Sequence, residues 1–348
     1  MNDSYAFPVP CSRPAISSAG AVPLMLVKSI LRIILFFLFL AILAVAQDWL
    51  IGYGLRTIET SKFGSLNRIM SGRVNADVLI IGSSRALSHY DPRIIQSIFG
   101  GTAYNIGMDA LQIDSQLALL RTYLKHNTAP EIVILNLDLF SFEATKSGEI
   151  YDPARYVPYL YEKELYEPLH RIDANVWRWK NIPLYGYTVE DMSFTWVWGV
   201  LSCLGINPAE DYFLGFNPKN ARWTDDFERF RADHPQGVTY SISDRGLQAF
   251  RDLIRTCRNK GIEILLVYSP EYYEMHALET NRAEIMEMFR AIASEFHIPF
   301  WDYSDSAFSY QRELFQNSQH LNAAGASIFT RDIADRLRNC FHDLSPSS

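Results

Sequence analysis

Residues 77–85 constrain the fold more than any other part of the chain. Residues 78–81 form a short apolar run bounded by Gly82, which is typical of a buried strand in a parallel sheet. Asp91 and Pro92 then predict a helix start, with Asp at the N-cap and Pro at the first position. A strand, a tight turn of small residues and a helix can together place a serine hydroxyl at the carboxyl edge of a sheet.

Strands and helices alternate on both sides of a long middle region. The strands are expected at 78–81, 103–107, 132–137, 262–268 and 299–303. The helices are expected near 92–98, 114–126, 243–260, 282–297 and 323–341. This alternation predicts a three-layer α/β/α fold around a parallel five-stranded sheet, as in flavodoxin-like proteins. Such sheets bind ligands at the carboxyl ends of their strands.

The N-terminal part of the chain has the composition of a tail followed by a membrane segment. Residues 1–20 are rich in Pro, Ser and Ala and predict a disordered cytoplasmic tail. Residues 33–46 carry no charge, and the whole stretch 21–46 is long enough to span a bilayer as one transmembrane helix. A buried core helix would be expected to have a polar face, which this run lacks.

The charges around the apolar run predict its orientation. Lys28 and Arg32 precede it and Asp48 follows it, which favours a cytoplasmic N-terminus and a periplasmic or extracellular main domain. A cleaved signal peptide is the competing interpretation, because residues 44–46 fit the small-x-small cleavage pattern. Both interpretations export the rest of the chain, and the retained anchor makes the membrane its first partner.

The exported part divides into a connector and one large domain. Residues 47–75 predict an amphipathic connector, and residues 76–341 predict the α/β domain with an insertion at about 143–240. The insertion is dense in Tyr and Trp, and strand-helix alternation stops there. Such aromatic side chains mainly fill cores. They could also bind carbohydrate rings, cap the active edge of the sheet, or pack on a membrane or a partner.

Composition excludes several classes of function. The net charge is -7 and the pI is about 5.6, whereas nucleic-acid-binding proteins present a basic face. The sequence has no phosphate-binding loop, no His-Glu-x-x-His and no Cys-x-x-Cys, so we expect no metal and no cofactor. Cys257 and Cys340 lie on expected helices, where a disulfide outside the cytoplasm or two plain core residues are both compatible with the spacing.

A serine nucleophile needs a base, and His320 is the histidine in the best context. It lies in the loop 317–326 just before the last expected helix, where Asn322 suits the N-cap and Leu321 can anchor the loop to the core. His89 is close to the Gly-Ser-Ser turn in sequence, but we expect it to point away from the serine.

Four short blocks, in order, resemble those of the SGNH (GDSL-like) hydrolase superfamily. Gly82-Ser-Ser resembles the first block with Ser84 as nucleophile, and Asn105-Ile-Gly resembles the second, in which the Gly107 amide binds the oxyanion. The strand end with Asn136 is placed like the third block, which supplies an oxyanion-binding side chain. His320-Leu-Asn resembles the last block, which carries the catalytic base. The resemblance covers about 76–142 and 243–341.

Among such relatives, the closest in build are anchored envelope proteins of two kinds. They are alginate O-acetyltransferase-like proteins and the protein that transfers D-alanine to teichoic acids. This resemblance implies an esterase or O-acyltransferase acting on an envelope polysaccharide or an acylated small molecule, with a membrane acyltransferase as a possible partner. The alternative is an inactive SGNH fold that binds glycans or assists assembly.

The sequence departs from the family pattern at two places. The acidic residue three before the histidine is Asn317 here, so the chain could use a Ser84–His320 dyad or borrow a carboxylate from Asp138, Asp302 or Asp305. In the third block Asn136 is followed two residues later by Asp138. One hypothesis explains both departures: Asn136 donates to the oxyanion and Asp138 orients His320. Arg85, next to the nucleophile, either binds an anionic substrate or faces solvent.

Overall fold

The five expected strands form one parallel sheet. The structure is a computed structural model, and it describes residues 24–146, 148–188, 194–209, 212–220 and 222–341. The strands are β1 (Val78–Ile81), β2 (Ala103–Asn105), β3 (Ile132–Leu137), β4 (Glu263–Tyr268) and β5 (Phe300–Asp302). They are ordered β2-β1-β3-β4-β5, and every neighbouring pair is parallel. The expected fold class is therefore confirmed, although β2 and β5 are shorter than expected.

Helices cover both faces of this sheet. The helices before β3 are α1 (Leu24–Thr57), α2 (Ser61–Met70), α3 (Ser84–His89), α4 (Pro92–Phe99) and α5 (Ile113–His126). Those after it are α6 (Lys163–Ile172), α7 (Val176–Asn181), α8 (Thr195–Ser202), α9 (Asp226–Asp233), α10 (Asp244–Arg258), α11 (Arg282–Glu295) and α12 (Ala323–Cys340). The helices α2, α5, α10 and α11 share one core, and α3, α4 and α12 share the other.

The strand side chains explain why both faces are covered. Leu79 and Leu135 point into the core with α5 and α10, whereas Ile80 and Ile134 point into the core with α4 and α12. All four are fully buried, which fits the continuous apolar runs that parallel strands require. The order β2-β1-β3-β4-β5 reverses direction between β1 and β3, and the carboxyl ends of these two strands are where such sheets bind ligands.

The chain divides into two compact units between Ala46 and Gln47. In the first unit, α1 is long and apolar enough to cross a bilayer, and its large side chains are exposed from Met25 to Val45. The predicted tail 1–20 lies outside the described residues. In the second unit the expected connector is mostly helical, because the end of α1 continues to Thr57 and α2 follows.

The aromatic insertion combines short helices with irregular chain and contains both buried and exposed rings. It contains α6 to α9 and several short 3-10 turns. Six of its aromatic side chains lie in cores: Tyr156, Tyr159, Trp179, Tyr187, Phe216 and Phe227. Its segment around Leu214 borders β2, where the Asn105 N–H donates to the Leu214 carbonyl at 2.9 Å. Core packing therefore explains part of the aromatic content.

The disulfide that the sequence left open between Cys257 and Cys340 is absent. Cys257 is buried on α10, Cys340 is exposed at the end of α12, and both are free thiols. The two cysteines lie on different helices, one buried and one exposed, and they do not pair.

Candidate active site

Ser84 is the first residue of α3, directly after the turn that follows β1. Ser83 caps this helix, since its Oγ accepts from the Arg85 N–H at 3.3 Å. Gly82 is required for the turn, because a Cβ there would lie 2.8 Å from the Ala86 Cβ. The strand-turn-helix pattern therefore places the Ser84 hydroxyl at the carboxyl edge of the sheet.

The structure brings His320 to this hydroxyl across more than two hundred residues of sequence. The His320 Nε2 lies 2.8 Å from the Ser84 Oγ, and the Nδ1 lies 3.0 Å from the Asn317 Oδ1. The same Oδ1 accepts from the backbone N–H groups of Gln319 and His320, each at 3.0 Å. Both of those backbone groups can only donate, so the amide oxygen must face them and Nδ1 must carry the ring proton. Nε2 is thereby left as the acceptor for the serine proton.

The charge state of His320 suits a base. Burial, together with the positive charges of Arg85 and Lys219, lowers the pKa of His320 to about 4. The imidazole is therefore neutral at pH 7 and can accept a proton. The contact with Asn317 is a neutral hydrogen bond, so it orients the ring without stabilising the imidazolium by charge.

A second histidine, His89, fixes the loop that carries His320. His89 is fully buried at the end of α3, its Nε2 accepts from the Leu321 N–H at 3.0 Å, and its Nδ1 lies 3.0 Å from the Ser269 Oγ. Burial and the neighbouring Arg85 lower the pKa of His89, which keeps Nε2 an acceptor. His89 thus contacts the loop that carries His320, although its place in the sequence did not mark it as part of this region. His89 and Leu321 are 232 residues apart, and no local sequence pattern indicates that they make contact.

The end of the loop agrees with the sequence pattern. Asn322 caps α12, since its Oδ1 accepts from the Gly325 N–H at 3.0 Å, and Leu321 is fully buried. The two remaining carboxylates considered as orienting groups have other partners. Asp302 pairs with Arg290, and Asp305 accepts from the Tyr310 hydroxyl.

The expected oxyanion donors are only partly available. The Ser84 N–H lies in the first turn of α3, where a helix offers it no internal acceptor. The Gly107 N–H donates to the Asn105 Oδ1 at 2.9 Å, and Asn105 also donates to the Ala86 carbonyl at 2.7 Å. Gly107 approaches α3 so closely that a Cβ would lie 2.6 Å from the Leu87 nitrogen. The second block therefore joins β2 to α3, and its glycine amide is occupied.

The expected donor Asn136 is also engaged elsewhere. It is fully buried, its Oδ1 accepts from the Tyr90 hydroxyl at 2.8 Å, and its Nδ2 donates to the Leu137 carbonyl at 3.3 Å. The Asn136 oxygen and one of its two amide hydrogens are therefore engaged within the protein.

Asp138 does not orient His320, because both ring nitrogens of His320 have other partners. Asp138 instead forms a buried ion pair with Arg85 at 3.5 Å. Arg85 also donates to the Ser269 carbonyl and stacks on the Tyr268 ring, 4.6 Å from its centroid. Of the two alternatives for Arg85, the solvent-facing one is therefore wrong, since only 5% of the residue is exposed.

The charged groups continue away from the serine along one wall of a small cleft. Glu271 and Glu279 both pair with Arg282, and the Tyr268 hydroxyl donates to Glu271 at 2.8 Å. Burial, and then the negative charge of Glu271, raise the pKa of Glu279. Asp138 keeps one oxygen, Oδ2, without a protein partner among the described residues.

The cleft beside Ser84 is small and polar. Its free volume is about 20 Å³, enough for about one water molecule. Ser84, Arg85 and Gln319 line it together with three aromatic residues, Phe140, Tyr240 and Tyr268. Tyr240 is the residue of the described part of the insertion that lines this cleft. The arrangement can therefore deliver a serine nucleophile and a neutral imidazole to a compact substrate group.

No family model and no curated protein matches the sequence. Among solved structures, a Bacteroides fragilis protein assigned as an acylhydrolase has 10% identity and a TM-score of 0.39, covering 80% of this chain and 99% of its own. A Streptococcus pneumoniae protein assigned as a platelet activating factor has 13% identity and a TM-score of 0.41, covering 87% and 98%. The acetyl xylan esterase Est2A from Butyrivibrio proteoclasticus has 9% identity and a TM-score of 0.34, covering 76% and 64%.

Proposed function

We propose that the protein is an exported, membrane-anchored esterase or O-acyltransferase of the SGNH type, acting on an acyl ester of an envelope polysaccharide. The observation that carries the proposal is the 2.8 Å contact between the Ser84 Oγ and the His320 Nε2. The amide of Asn317, oriented by two backbone N–H groups, supports it by fixing the tautomer that leaves Nε2 free to accept.

The chemistry proceeds in two halves. Ser84 Oγ attacks the ester carbonyl while its proton passes to His320 Nε2, and the new oxyanion lies near the Ser84 N–H. The tetrahedral intermediate collapses as the imidazolium gives its proton to the leaving oxygen, which belongs to the sugar in hydrolysis and to the acyl donor in transfer, and this leaves an acyl group on Ser84. A water in hydrolysis, or a sugar hydroxyl in transfer, then attacks the acyl-serine ester with His320 as base, and His320 returns the proton to the departing Ser84 oxygen. The acceptor decides between hydrolysis and transfer.

Anchoring by α1 supports an envelope substrate. The helix could hold the domain on the outer side of the membrane, as the flanking charges Lys28, Arg32 and Asp48 favour. A domain held there reaches polymers or acylated small molecules of the envelope, and a membrane acyltransferase could supply its acyl groups.

A test replaces the chromosomal copy with a Ser84→Ala variant and measures O-acetyl groups on the isolated envelope polysaccharide by NMR. An esterase predicts more O-acetyl groups than in the parent, and a transferase predicts fewer. Ser97→Ala, which removes an exposed hydroxyl on α4, is the matched control and should leave the content unchanged. An unchanged content in the Ser84 variant would contradict the polysaccharide assignment.

The second candidate is an inactive SGNH fold that binds glycans or assists assembly. The occupied Gly107 amide and the uncharged orienting residue Asn317 favour it. It predicts that deleting the protein alters the polymer while the Ser84→Ala variant does not.

A further inference from the structure

One segment of the insertion remains apolar and exposed. Phe194 is 71% exposed, Trp196 48%, Leu204 72% and Ile206 53%. The sequence carries no charged residue from 192 to 209. Soluble proteins rarely leave so many large apolar side chains together in water, and such surfaces mark contacts with proteins or membranes.

This segment packs on the part of α1 that belongs to the main domain. Gly54 and Gly199 bring α1 and α8 into close contact, since a Cβ on Gly54 would lie 1.7 Å from the Gly199 carbonyl oxygen. The Leu184 N–H donates to the Asp48 Oδ1 at 2.8 Å, and the Cys203 Sγ lies 3.5 Å from the Leu50 carbonyl. The helix α8, which carries Trp196, therefore packs on the turns of α1 that directly follow the apolar stretch.

An open apolar groove lies at the same place. Its volume is about 360 Å³, and it is lined by Leu50 and Ile51 of α1 and by Trp196 and Val200 of α8. Trp49 and Tyr53 lie on the same turns of α1, stacked on each other and largely exposed. Trp and Tyr are the residues enriched where a protein crosses the boundary between membrane and water.

We propose that these exposed side chains and the groove rest in the interfacial layer of the lipid bilayer. We call them the apolar face, defined as Trp49, Tyr53, Phe194, Trp196, Leu204 and Ile206. The proposal rests on the membrane anchoring proposed above. Lipid chains would fill the groove and cover the rings, whereas a free α/β domain would leave both in water.

Connectivity selects the bilayer over other occupants. Gln47 directly follows the apolar stretch, and α1 continues without a break to Thr57. Trp49 comes three residues and Ile51 five residues after Ala46, which at about 1.5 Å per residue is about 5–8 Å of helix. The polar layer of a bilayer is roughly 5–8 Å deep on each side. The part of α1 that carries Trp49 and lines the groove is therefore close enough in the chain to a membrane-spanning stretch to lie in the interface.

The composition also defines the type of contact. Glu190, Asp191, Glu210 and Asp211 flank the uncharged segment in the sequence, and it contains no Lys or Arg. Attraction to anionic headgroups would need basic residues. The contact should therefore form equally well on zwitterionic lipid and should not weaken at high salt.

The test uses the full chain in nanodiscs of phosphatidylcholine with brominated acyl chains, which quench nearby tryptophan emission. Single Trp→Phe variants identify which of the seven tryptophans are quenched. Trp196→Phe should lower the quenched share of the emission, and so should Trp49→Phe next to the apolar stretch. Trp223→Phe is the matched control and should not, because Trp223 packs against Phe227 and Tyr272 in the core.

The outcomes separate the contact from the anchor. If the quenched share of the emission falls in Trp49→Phe but not in Trp196→Phe, the contact of the apolar face with the bilayer is refuted and the membrane anchor is retained. No loss in either variant would overturn both. A Phe194→Glu, Leu204→Glu double variant should abolish quenching of Trp196 while Ser84 remains reactive. If the unquenched protein instead forms dimers that this double variant separates, the face joins two copies and the bilayer contact is refuted.

Discussion

Replacing Asn317 by Asp tests how His320 works. The carboxylate has the shape of the amide and can accept the same three hydrogen bonds, from His320 Nδ1 and from the backbone N–H groups of Gln319 and His320. The only large change is a negative charge beside the ring. In the native protein the ring is neutral, and its pKa of about 4 reflects burial and the charge of Arg85.

The size of the effect follows from the geometry. Two unit charges about 4 Å apart interact by about 4 kcal/mol at the effective dielectric constant of a partly buried site. One pKa unit corresponds to about 1.36 kcal/mol, so Asn317→Asp should raise the pKa of His320 by up to about three units, from about 4 towards about 7.

The rate should rise as well, because the transition state carries a developing imidazolium. In serine proteases, replacing the orienting Asp by Asn lowers turnover about 10⁴-fold, partly because the wrong tautomer forms. Asn317 already sets the right tautomer here. The gain should therefore be smaller, about tenfold to a hundredfold at pH 8.

The assay is hydrolysis of p-nitrophenyl acetate by the full-length protein, with kcat/KM measured from about pH 3.5 to 9. We expect the native rate to fall as the pH drops through about 4, and the Asn317→Asp rate to fall at a higher pH from a higher plateau. Asn317→Asp with Ser84→Ala should show no turnover. Identical acid limbs in both proteins, or a lower plateau in the variant, would refute the tautomer argument.

Three further substitutions test the support of the site. Arg85→Met should destabilise the fold by about 3–5 kcal/mol in urea unfolding, since it leaves Asp138 charged and buried, and adding Asp138→Leu should recover most of the loss. His89→Phe should lower the free energy of unfolding by about 1–3 kcal/mol, because it leaves the Leu321 N–H unpaired. It should also lower kcat about a hundredfold, because the loop that carries His320 would shift; an unchanged kcat would show that the loop has not moved. Gly82→Ala should lower kcat and lower the free energy of unfolding by about 1–3 kcal/mol, because the added Cβ would collide with Ala86 and shift the turn. An unchanged kcat would show that the turn before Ser84 does not need glycine.

His320 also makes stability depend on pH. Its pKa is about 4 in the folded chain and about 6.5 when exposed, so the unfolded chain binds a proton first as the pH falls. Its contribution is fully present above about pH 6.5 and is lost between about 6.5 and 4. A His320→Gln variant should show a weaker loss of stability over this interval in urea unfolding.

The sheet and the two reactive side chains could be predicted because each depends on local chemistry. The apolar run that became β1, the small-residue turn after it and the cap at Asn322 are short patterns with direct physical causes. Parallel strands then bring their carboxyl ends to one edge, which places Ser84 there, whereas His320 was assigned from its position before the last helix and from the family resemblance.

The surroundings of the site could not be predicted because they depend on contacts between distant residues. Asn105 and Gly107 lie two residues apart, yet whether their hydrogen bond forms depends on how closely β2 approaches α3. Arg85 reads as an ordinary turn residue until β4 supplies the Ser269 carbonyl and the Tyr268 ring. Asp138 meets Arg85 for the same reason, although the sequence suggested His320 as its partner.

The central claim is that Ser84 is a nucleophile activated by His320. The most direct measurement is mass spectrometry of the full-length protein after treatment with a fluorophosphonate probe, which reacts with activated serines. We predict one phosphonate on Ser84, lost in Ser84→Ala and strongly slowed in His320→Gln. A folded native protein that takes up no probe, or that is labelled equally after His320→Gln, would contradict the account.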